Sequence, residues 1–185
     1  MSVLESRPTT TTTTTTTIAN SPRASRALGV VLAAIRVSLG WIFLWAFVDK
    51  LFGLGYATPS ARSWLNGGSP TKGFLANAAT GPFEGFYKSI AGAAWADWLF
   101  MLGLAGIGIA LIAGIAMRLA TAAGVLLLVM MWSAVLPPEN NPFMDDHIVY
   151  ALVLVALALL GAGHSFGLGR TWERLAIVQK YPVLK

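Results

Sequence analysis

The sequence of 185 residues contains no cysteine, and it contains only two histidines. Without cysteine the chain forms no disulfide, supplies no thiolate nucleophile and offers no sulfur ligand to zinc or to an iron–sulfur cluster. Two histidines are too few for a familiar b-type haem site or for a histidine-rich metal site.

Charge is also scarce, since charged residues make up 11% of the chain and hydrophobic residues 56%. A typical soluble domain carries about 25% charged residues, so this composition indicates an integral membrane protein of one domain. The net charge of +5 is then a matter of how cations are distributed across a membrane, and nucleic acid is not an expected partner. Residues 1–26, which include nine consecutive threonines, have too little apolar surface to fold and are predicted to be a disordered tail.

Four apolar segments have the length of membrane-spanning helices, because about 20 residues in a helix cross a hydrocarbon layer of about 30 Å. They are residues 27–53, 97–117, 119–136 and 147–163, of which the last is short. The second and third follow each other with almost no loop and are expected to pair as an antiparallel hairpin. The sequence therefore predicts an all-α, integral membrane four-helix bundle over residues 27–174, followed by a cytoplasmic C-terminal tail, 175–185.

Lysine and arginine are distributed unevenly between the two ends of this bundle. The end with the termini carries eight: Arg7, Arg23, Arg26, Arg118, Arg170, Arg174, Lys180 and Lys185. The other end carries three: Arg62, Lys72 and Lys88. The positive-inside rule then predicts a multi-pass protein of the inner (plasma) membrane with both termini in the cytoplasm.

The long outer loop, residues 53–94, contains three signals for the start of a helix. Each is a small residue followed by proline: Thr58-Pro59, Ser69-Pro70 and Gly81-Pro82. After the last signal, four apolar residues follow at helical spacing: Phe83, Phe86, Tyr87 and Ile90. We expect a partly helical loop whose amphipathic segment either lies on the membrane surface or covers the bundle.

The first span contains one charge within its apolar run, Arg36. A cation is costly in hydrocarbon, so Arg36 is predicted to point into the bundle and to meet backbone carbonyls, Ser38, Ser133 or a bound ligand. Its spacing from Phe43 and Lys50, seven residues each time, places all three on one stripe of the helix. The alternative is that Arg36 merely ties helices together or extends to the membrane surface.

Glycine is frequent in the second span, where small residues let membrane helices pack closely. These glycines are Gly103, Gly106, Gly108 and Gly114. No strand precedes them, so they do not form a nucleotide-binding or flavin-binding motif. The chain also shows no internal inverted repeat, which makes a transporter the less favoured interpretation.

The outer end of the predicted bundle collects most of the unusual side chains. The candidate catalytic residues are His147, Asp145 and Lys50. The candidate cofactor-binding residues are Arg36, Asp49, Trp45, Asp97 and Trp98. Carboxylates, a histidine and aromatic rings at an interface give a quinone its proton acceptor, its carbonyl partner and its stacking faces. Acidic residues also begin helices for purely electrostatic reasons, so a structural role stays open, and His147 is equally consistent with an interfacial residue.

The run Asp145-Asp146-His147 has ligand types that suit a metal ion. Consecutive positions at a helix start are expected to point apart, however, and no metal site is predicted.

Several features occur in a fixed order along the chain. They are Arg36, Trp41 and Lys50 in the first span, Gly114-x-x-x-Arg118 after the second, Asn141 to His147 before the fourth, and Gly167 to Arg170 after it. This order resembles the DoxX/DoxD family of four-helix membrane proteins over roughly residues 27–174. Some DoxD members are the membrane subunit of a thiosulfate:quinone oxidoreductase, and others are linked to redox homeostasis.

The resemblance implies a quinone as cofactor, a second oxidoreductase subunit as partner and the lipid bilayer as surroundings. One hypothesis is a quinone-interacting redox subunit that takes electrons from a sulfur substrate such as thiosulfate. The alternative is a non-catalytic anchor or scaffold for a redox partner, which would explain the small size and the lack of a familiar cofactor ligand set. Whether the chain is itself an enzyme is left open by the sequence.

Overall fold

The computed structural model describes residues 22–185, and this part of the chain is helical without any strand. The helices are α1 (Pro22–Phe52), α2 (Lys72–Asn77), α3 (Glu84–Ile90), α4 (Ala94–Ala113), α5 (Met117–Ala134), α6 (Asp146–Leu159), α7 (Gly169–Trp172) and α8 (Ala176–Lys180). Short 3₁₀ turns cover Ser60–Arg62, Trp64–Asn66, Gly81–Phe83, Ala162–His164 and Pro182–Leu184. The all-α prediction is confirmed.

The predicted disordered tail lies outside the described residues up to position 21. Residues 22–26 were assigned to that tail, and this boundary is wrong because they form the first turns of α1. Proline is well suited to the first position of a helix, where its missing N–H has no partner to lose, so Pro22 is a natural start.

Three of the described helices are long and apolar enough to cross a membrane: Arg23–Phe52 within α1, and all of α4 and α5. The fourth apolar helix, α6, has 14 residues and therefore spans about 21 Å. The segment 147–163 was predicted as one continuous span, but Gly161 adopts a left-handed conformation with φ of 63° and separates α6 from the following 3₁₀ turn. The structure therefore supports a membrane protein with three full-length candidate spans.

Consecutive long helices run antiparallel. The crossing of α1 and α4 is close, since a Cβ added to Gly108 would lie 2.7 Å from the backbone nitrogen of Leu44. On the other side of the molecule the Thr121 hydroxyl of α5 donates to the Leu154 carbonyl of α6 at 3.3 Å. Helix α4 ends at Gly114, whose φ is 73°, and α5 begins three residues later at Met117. The predicted tight hairpin is confirmed.

The sequence suggested that the glycines of α4 allow close helix packing, but only some of them do so. Gly108 does so, and Gly114 supplies the left-handed end of the helix. Gly103 and Gly106 have no atom within 4 Å of an added Cβ, because they lie on the side of α4 away from α1.

The long helices connect two ends of the molecule, which we name by their segments. The loop end comprises residues 53–93 and 135–145, and the tail end comprises residues 114–116 and 160–185. At the tail end the chain folds back on the hairpin, since the backbone N–H of Arg118 donates to the Lys185 carbonyl at 2.8 Å. The Trp172 indole N–H donates to the Leu184 carbonyl at 2.6 Å, and Val178 is fully buried.

The loop end is partly helical, as predicted. Each of the three proline signals is followed by a short helix or 3₁₀ turn, beginning at Ser60, Lys72 and Gly81. Helix α3 buries Tyr87, whose hydroxyl lies 2.6 Å from the Ser133 Oγ of α5.

The two remaining aromatic side chains of this amphipathic segment, Phe83 and Phe86, are exposed by 49% and 56%. One side of α3 therefore covers the end of α5, and the other carries aromatic rings outward.

Candidate functional site

Arg36 is fully buried between the tail end and the helices. Its Nη1 donates to the carbonyls of Leu111 and Ile112, the latter at 3.0 Å, and its Nη2 donates to those of Ser165 and Phe166 at 3.3 Å each. The last carbonyls of a helix have no partner within it and form the negative end of its dipole, so a cation is favourable there. The prediction that Arg36 points inward and meets backbone carbonyls is confirmed.

Glycines make room for this guanidinium. A Cβ added to Gly114 would lie 2.6 Å from Arg36 Nη1, and one added to Gly167 would lie 2.9 Å from Nη2. Gly114 and Gly167, which begin the segments Gly114-x-x-x-Arg118 and Gly167 to Arg170, therefore flank the Arg36 side chain. They leave a buried Nε–H with no hydrogen-bond partner among residues 22–185. The protein itself supplies four acceptors for the Arg36 guanidinium, so the structure does not require a ligand there. That Arg36 also binds a cofactor stays a prediction.

Asp49 and Asp97 are buried at the loop end, and both bind the loop. Asp49 accepts from the backbone N–H groups of Tyr56 and Ala57 at 3.3 and 3.0 Å. Asp97 accepts from the Ser69 hydroxyl at 2.8 Å. It also accepts from the Thr71 hydroxyl at 2.6 Å and the Thr71 N–H at 3.0 Å. Both oxygens of Asp49 and the Oδ1 of Asp97 are therefore bound to the loop, and the two carboxylates fix it to α1 and α4.

Lys50 lies one residue after Asp49 and faces a cavity of about 280 Å³. Among the described residues its ammonium makes no hydrogen bond and no ion pair, and it interacts electrostatically with the neighbouring Asp49, so its donors are available to a ligand. The cavity lies between α4 and α5 and is covered at the loop end by α2 and α3. Its lining is Lys50, Pro70, Thr71, Phe74, Leu75, Tyr87, Ile90, Trp95, Ala96, Leu99, Phe100, Gly103, Ile107, Ala123, Leu126, Leu127, Met130 and Met131. We call this the Lys50 cavity.

The Lys50 cavity is predominantly apolar, and Lys50 is the single charged side chain of its lining within the described chain. The polar groups Lys50 and Thr71 lie at the loop end, and aromatic faces from Phe74, Trp95 and Phe100 line the same region. A site of this kind suits a lipophilic molecule that has one small polar group able to accept a hydrogen bond.

His147 and Asp145 form a pair outside this lining. Asp145 caps α6 through the backbone N–H of Ile148 at 3.3 Å, and its other carboxylate oxygen lies 2.7 Å from His147 Nδ1. His147 is also 3.6 Å from Asp146, and potential ligand atoms of all three lie within 4.8 Å of one another. The expectation that these positions point apart is wrong, because the extended backbone of the cap residue Asp145 directs its side chain back over the first turn.

The aromatic candidates are distributed over two surfaces. Trp45 stacks edge-on with Tyr56 at a centroid distance of 5.2 Å, and Trp98 stacks similarly with Trp64 at 4.7 Å. Trp98 is 57% exposed and faces away from the Lys50 cavity, where Trp95 from the same helix is part of the lining. Of the sequence-predicted residues, the structure therefore brings Lys50 alone into the cavity, with Asp97 holding one wall through Thr71.

Sequence reasoning missed the apolar wall of the cavity, in particular Phe74, Met130 and Gly103. The segment 72–77 is short, and its apolar residues carry no chemistry that would identify a site. Gly103 was recognised only as a packing residue. Comparison of the chain with models of protein families, with curated proteins and with solved structures finds no match.

Proposed function

We propose that this protein is a quinone-interacting membrane subunit of an oxidoreductase, of the DoxX/DoxD type that its sequence resembles. The observation that supports this proposal is the Lys50 cavity, an apolar site beside two candidate membrane helices with one unpaired cation at its loop end. A quinone has the matching chemistry: a planar ring for aromatic faces, carbonyl oxygens for a hydrogen-bond donor and an apolar substituent for the remaining space.

The residues present fit a quinone headgroup. Lys50 would hold a carbonyl oxygen through its ammonium, and Phe74, Trp95 and Phe100 would contact the ring. When bound, a quinone accepts two electrons and two protons, the electrons coming in this proposal from a sulfur substrate such as thiosulfate. Lys50 and Tyr87 are the titratable side chains of the lining, so in this proposal they are the candidate proton donors to the headgroup.

A four-span arrangement with both termini in the cytoplasm is part of this proposal. The C-terminal segment, which carries Arg170, Arg174, Lys180 and Lys185, folds back to Arg118 at the start of α5, and the positive-inside rule puts an end rich in cations in the cytoplasm. Helix α6 then crosses the remaining thickness together with the turn that follows it.

The arrangement is tested by placing single cysteines at exposed positions of this cysteine-free chain: Ser25, Gly73, Asn140 and Thr171. Labelling by a membrane-impermeant thiol reagent from outside is expected at Gly73→Cys and Asn140→Cys alone. Labelling from outside at Ser25→Cys or Thr171→Cys would overturn it.

The alternative function, a non-catalytic anchor or scaffold for a redox partner, is favoured by a different observation. Asp49 and Asp97, two of the candidate cofactor-binding residues, accept hydrogen bonds from the loop instead. The polar side chains of the loop end then serve to hold a shaped surface that a partner subunit would recognise.

The decisive experiment is purification from membranes in a mild detergent, followed by extraction of bound quinone and by assay of thiosulfate-dependent quinone reduction. We expect quinone to co-purify with the wild type and to be lost with Lys50→Met. The matched control is Lys88→Met, which removes an exposed loop-end cation that pairs with Glu84 at 2.5 Å. Equal quinone content in the wild type and Lys50→Met would move the assignment to the anchor function.

A further inference from the structure

We infer that the Lys50 cavity takes a long-tailed quinone directly from the bilayer, through the gap between α4 and α5. In this arrangement the headgroup lies at Lys50 and the apolar tail passes Gly103 toward Ile107 and Ala123. This inference rests on the proposed function, and it adds the class of quinone, its orientation and its route of entry.

The first observation that supports this inference is the depth of the cavity. Along α4 its lining extends from Trp95 to Ile107, a separation of twelve residues, which is about 18 Å of helix. Ile107 lies well inside the molecule, because it is thirteen residues along α4 from Ala94 and only 2% of it is exposed. A quinone ring alone fills the loop end of such a space, whereas an alkyl or isoprenoid tail fills the remainder.

The second observation is the direction in which the cavity opens. Leu99 of α4 and Leu126 of α5 both belong to the lining, yet they are exposed by 66% and 62%. Exposed leucines on helices that are apolar enough to span a membrane face lipid. The loop end is closed over the cavity by Phe74 and Tyr87, so the open side of the cavity is the side toward the hydrocarbon.

The third observation is the glycine at position 103, Gly103. Glycine within a helix is less favourable than alanine, and it is usually compensated by close contact with another helix, as at Gly108. At Gly103 no such contact exists within 4 Å, and the space beside it belongs to the cavity. Its missing side chain therefore keeps the tail path open.

The test uses a matched pair of glycines on one helix. Gly103→Phe places a ring in the tail path, and Gly106→Phe places the same ring in open space outside the lining, since Gly106 also has no neighbour within 4 Å. Both proteins are reconstituted in phosphatidylcholine nanodiscs, with their folding checked by circular dichroism. Binding of decylubiquinone, which has an alkyl tail, is then compared with binding of tail-free duroquinone.

We expect Gly103→Phe to weaken decylubiquinone binding by about tenfold or more while duroquinone changes by less than about twofold, because burial of the tail is lost and the head site is kept. Gly106→Phe should leave both affinities unchanged. If Gly103→Phe unfolds the protein, Gly103→Leu serves as the smaller obstruction and should give the same ordering.

The outcomes separate the inference from the proposed function. If the wild type binds neither quinone, the proposed function fails and the inference fails with it. If the wild type binds both and Lys50→Met weakens both, while Gly103→Phe alters neither, then the quinone site stands and the tail path is wrong. Equal losses in Gly103→Phe and Gly106→Phe would also overturn the tail path, because the second ring lies outside it.

Discussion

Helix α1 carries two inward-facing cations on one stripe, Arg36 and Lys50, and their surroundings are opposite. Arg36 is fully buried and donates to four backbone carbonyls at the tail end. Lys50, about 21 Å farther along the helix, makes no hydrogen bond or ion pair within the described chain and faces an apolar cavity. A cation whose partners are supplied by the protein is part of the fold, whereas a cation without partners beside a cavity is available to a ligand.

The difference follows from what each end of the molecule offers. The tail end brings together the last carbonyls of α4 and the chain at 165–166, which are acceptors that need a donor. At the loop end Asp49, which interacts electrostatically with Lys50, and Asp97 both accept hydrogen bonds from the loop, and neither is hydrogen-bonded to the Lys50 ammonium. Four substitutions test this contrast, from the largest expected effect to the smallest.

Arg36→Leu should destabilise the protein most, by about 3–5 kcal/mol, because four carbonyls lose their donor in a buried place. Membrane insertion should be unaffected, since the substitution makes α1 more apolar. The measurement is thermal unfolding in detergent. Arg36→Lys is the control and should recover part of the loss, because an ammonium keeps the charge but not the planar fork of donors. An unchanged unfolding temperature for Arg36→Leu would contradict the structural role.

Asp97→Ala should detach the loop from α4 at a cost of about 1–3 kcal/mol, because the Ser69 hydroxyl and both Thr71 donors lose their acceptor. Since Thr71 lines the Lys50 cavity, quinone binding should weaken as well. Hydrogen exchange over residues 69–92 measures the loosening. Glu139→Ala, which removes an exposed loop-end carboxylate, is the matched control. Protection equal to that of the wild type would show that Asp97 does not hold the loop.

The change in stability caused by Lys50→Met should be opposite in sign to the change caused by Arg36→Leu. Removing an unpaired cation from an apolar site is expected to leave stability unchanged or to raise it by up to about 1 kcal/mol. Added quinone should stabilise the wild type and not the variant, because a ligand raises stability only when it binds the folded state. Thermal unfolding with and without decylubiquinone checks both statements. A large loss of stability in Lys50→Met would make Lys50 a structural cation like Arg36.

His147→Ala should have the smallest effect. The sequence alone predicts lower quinone-dependent turnover, whereas the position of His147 outside the Lys50 cavity predicts turnover near that of the wild type and a stability change of about 0.5 kcal/mol. Quinone reduction by membranes with matched expression decides between them. Asp145→Ala is a useful comparison, because it removes the N-terminal cap of α6 and should lower the stability of the protein by about 1 kcal/mol. A strong loss of turnover in His147→Ala would restore His147 to the site.

Much of the fold could be predicted from local pattern. Apolar runs gave the long helices within a few residues, and the hairpin around Gly114 followed from the absence of a loop. The break at Gly161 was not predicted, because glycine within an apolar run is compatible with a continuous membrane helix until its conformation is known. The inward direction of Arg36 was predictable because charge in hydrocarbon allows few alternatives.

The candidate site was less predictable, because a cavity depends on which surfaces do not touch. The sequence placed Lys50, Asp49 and Asp97 at one end, but only tertiary contacts decided that the two carboxylates bind the loop and that the lysine does not. Gly103 and Gly108 are both glycines of α4, but their surroundings differ. Gly103 borders empty space, whereas Gly108 is in close contact with α1. Sequence by itself determined the membrane class, the helices and the buried arginine, since these follow from hydrophobicity and charge along the chain. Tertiary structure decided which polar groups are already paired, because pairing is a property of neighbours that lie far apart in sequence.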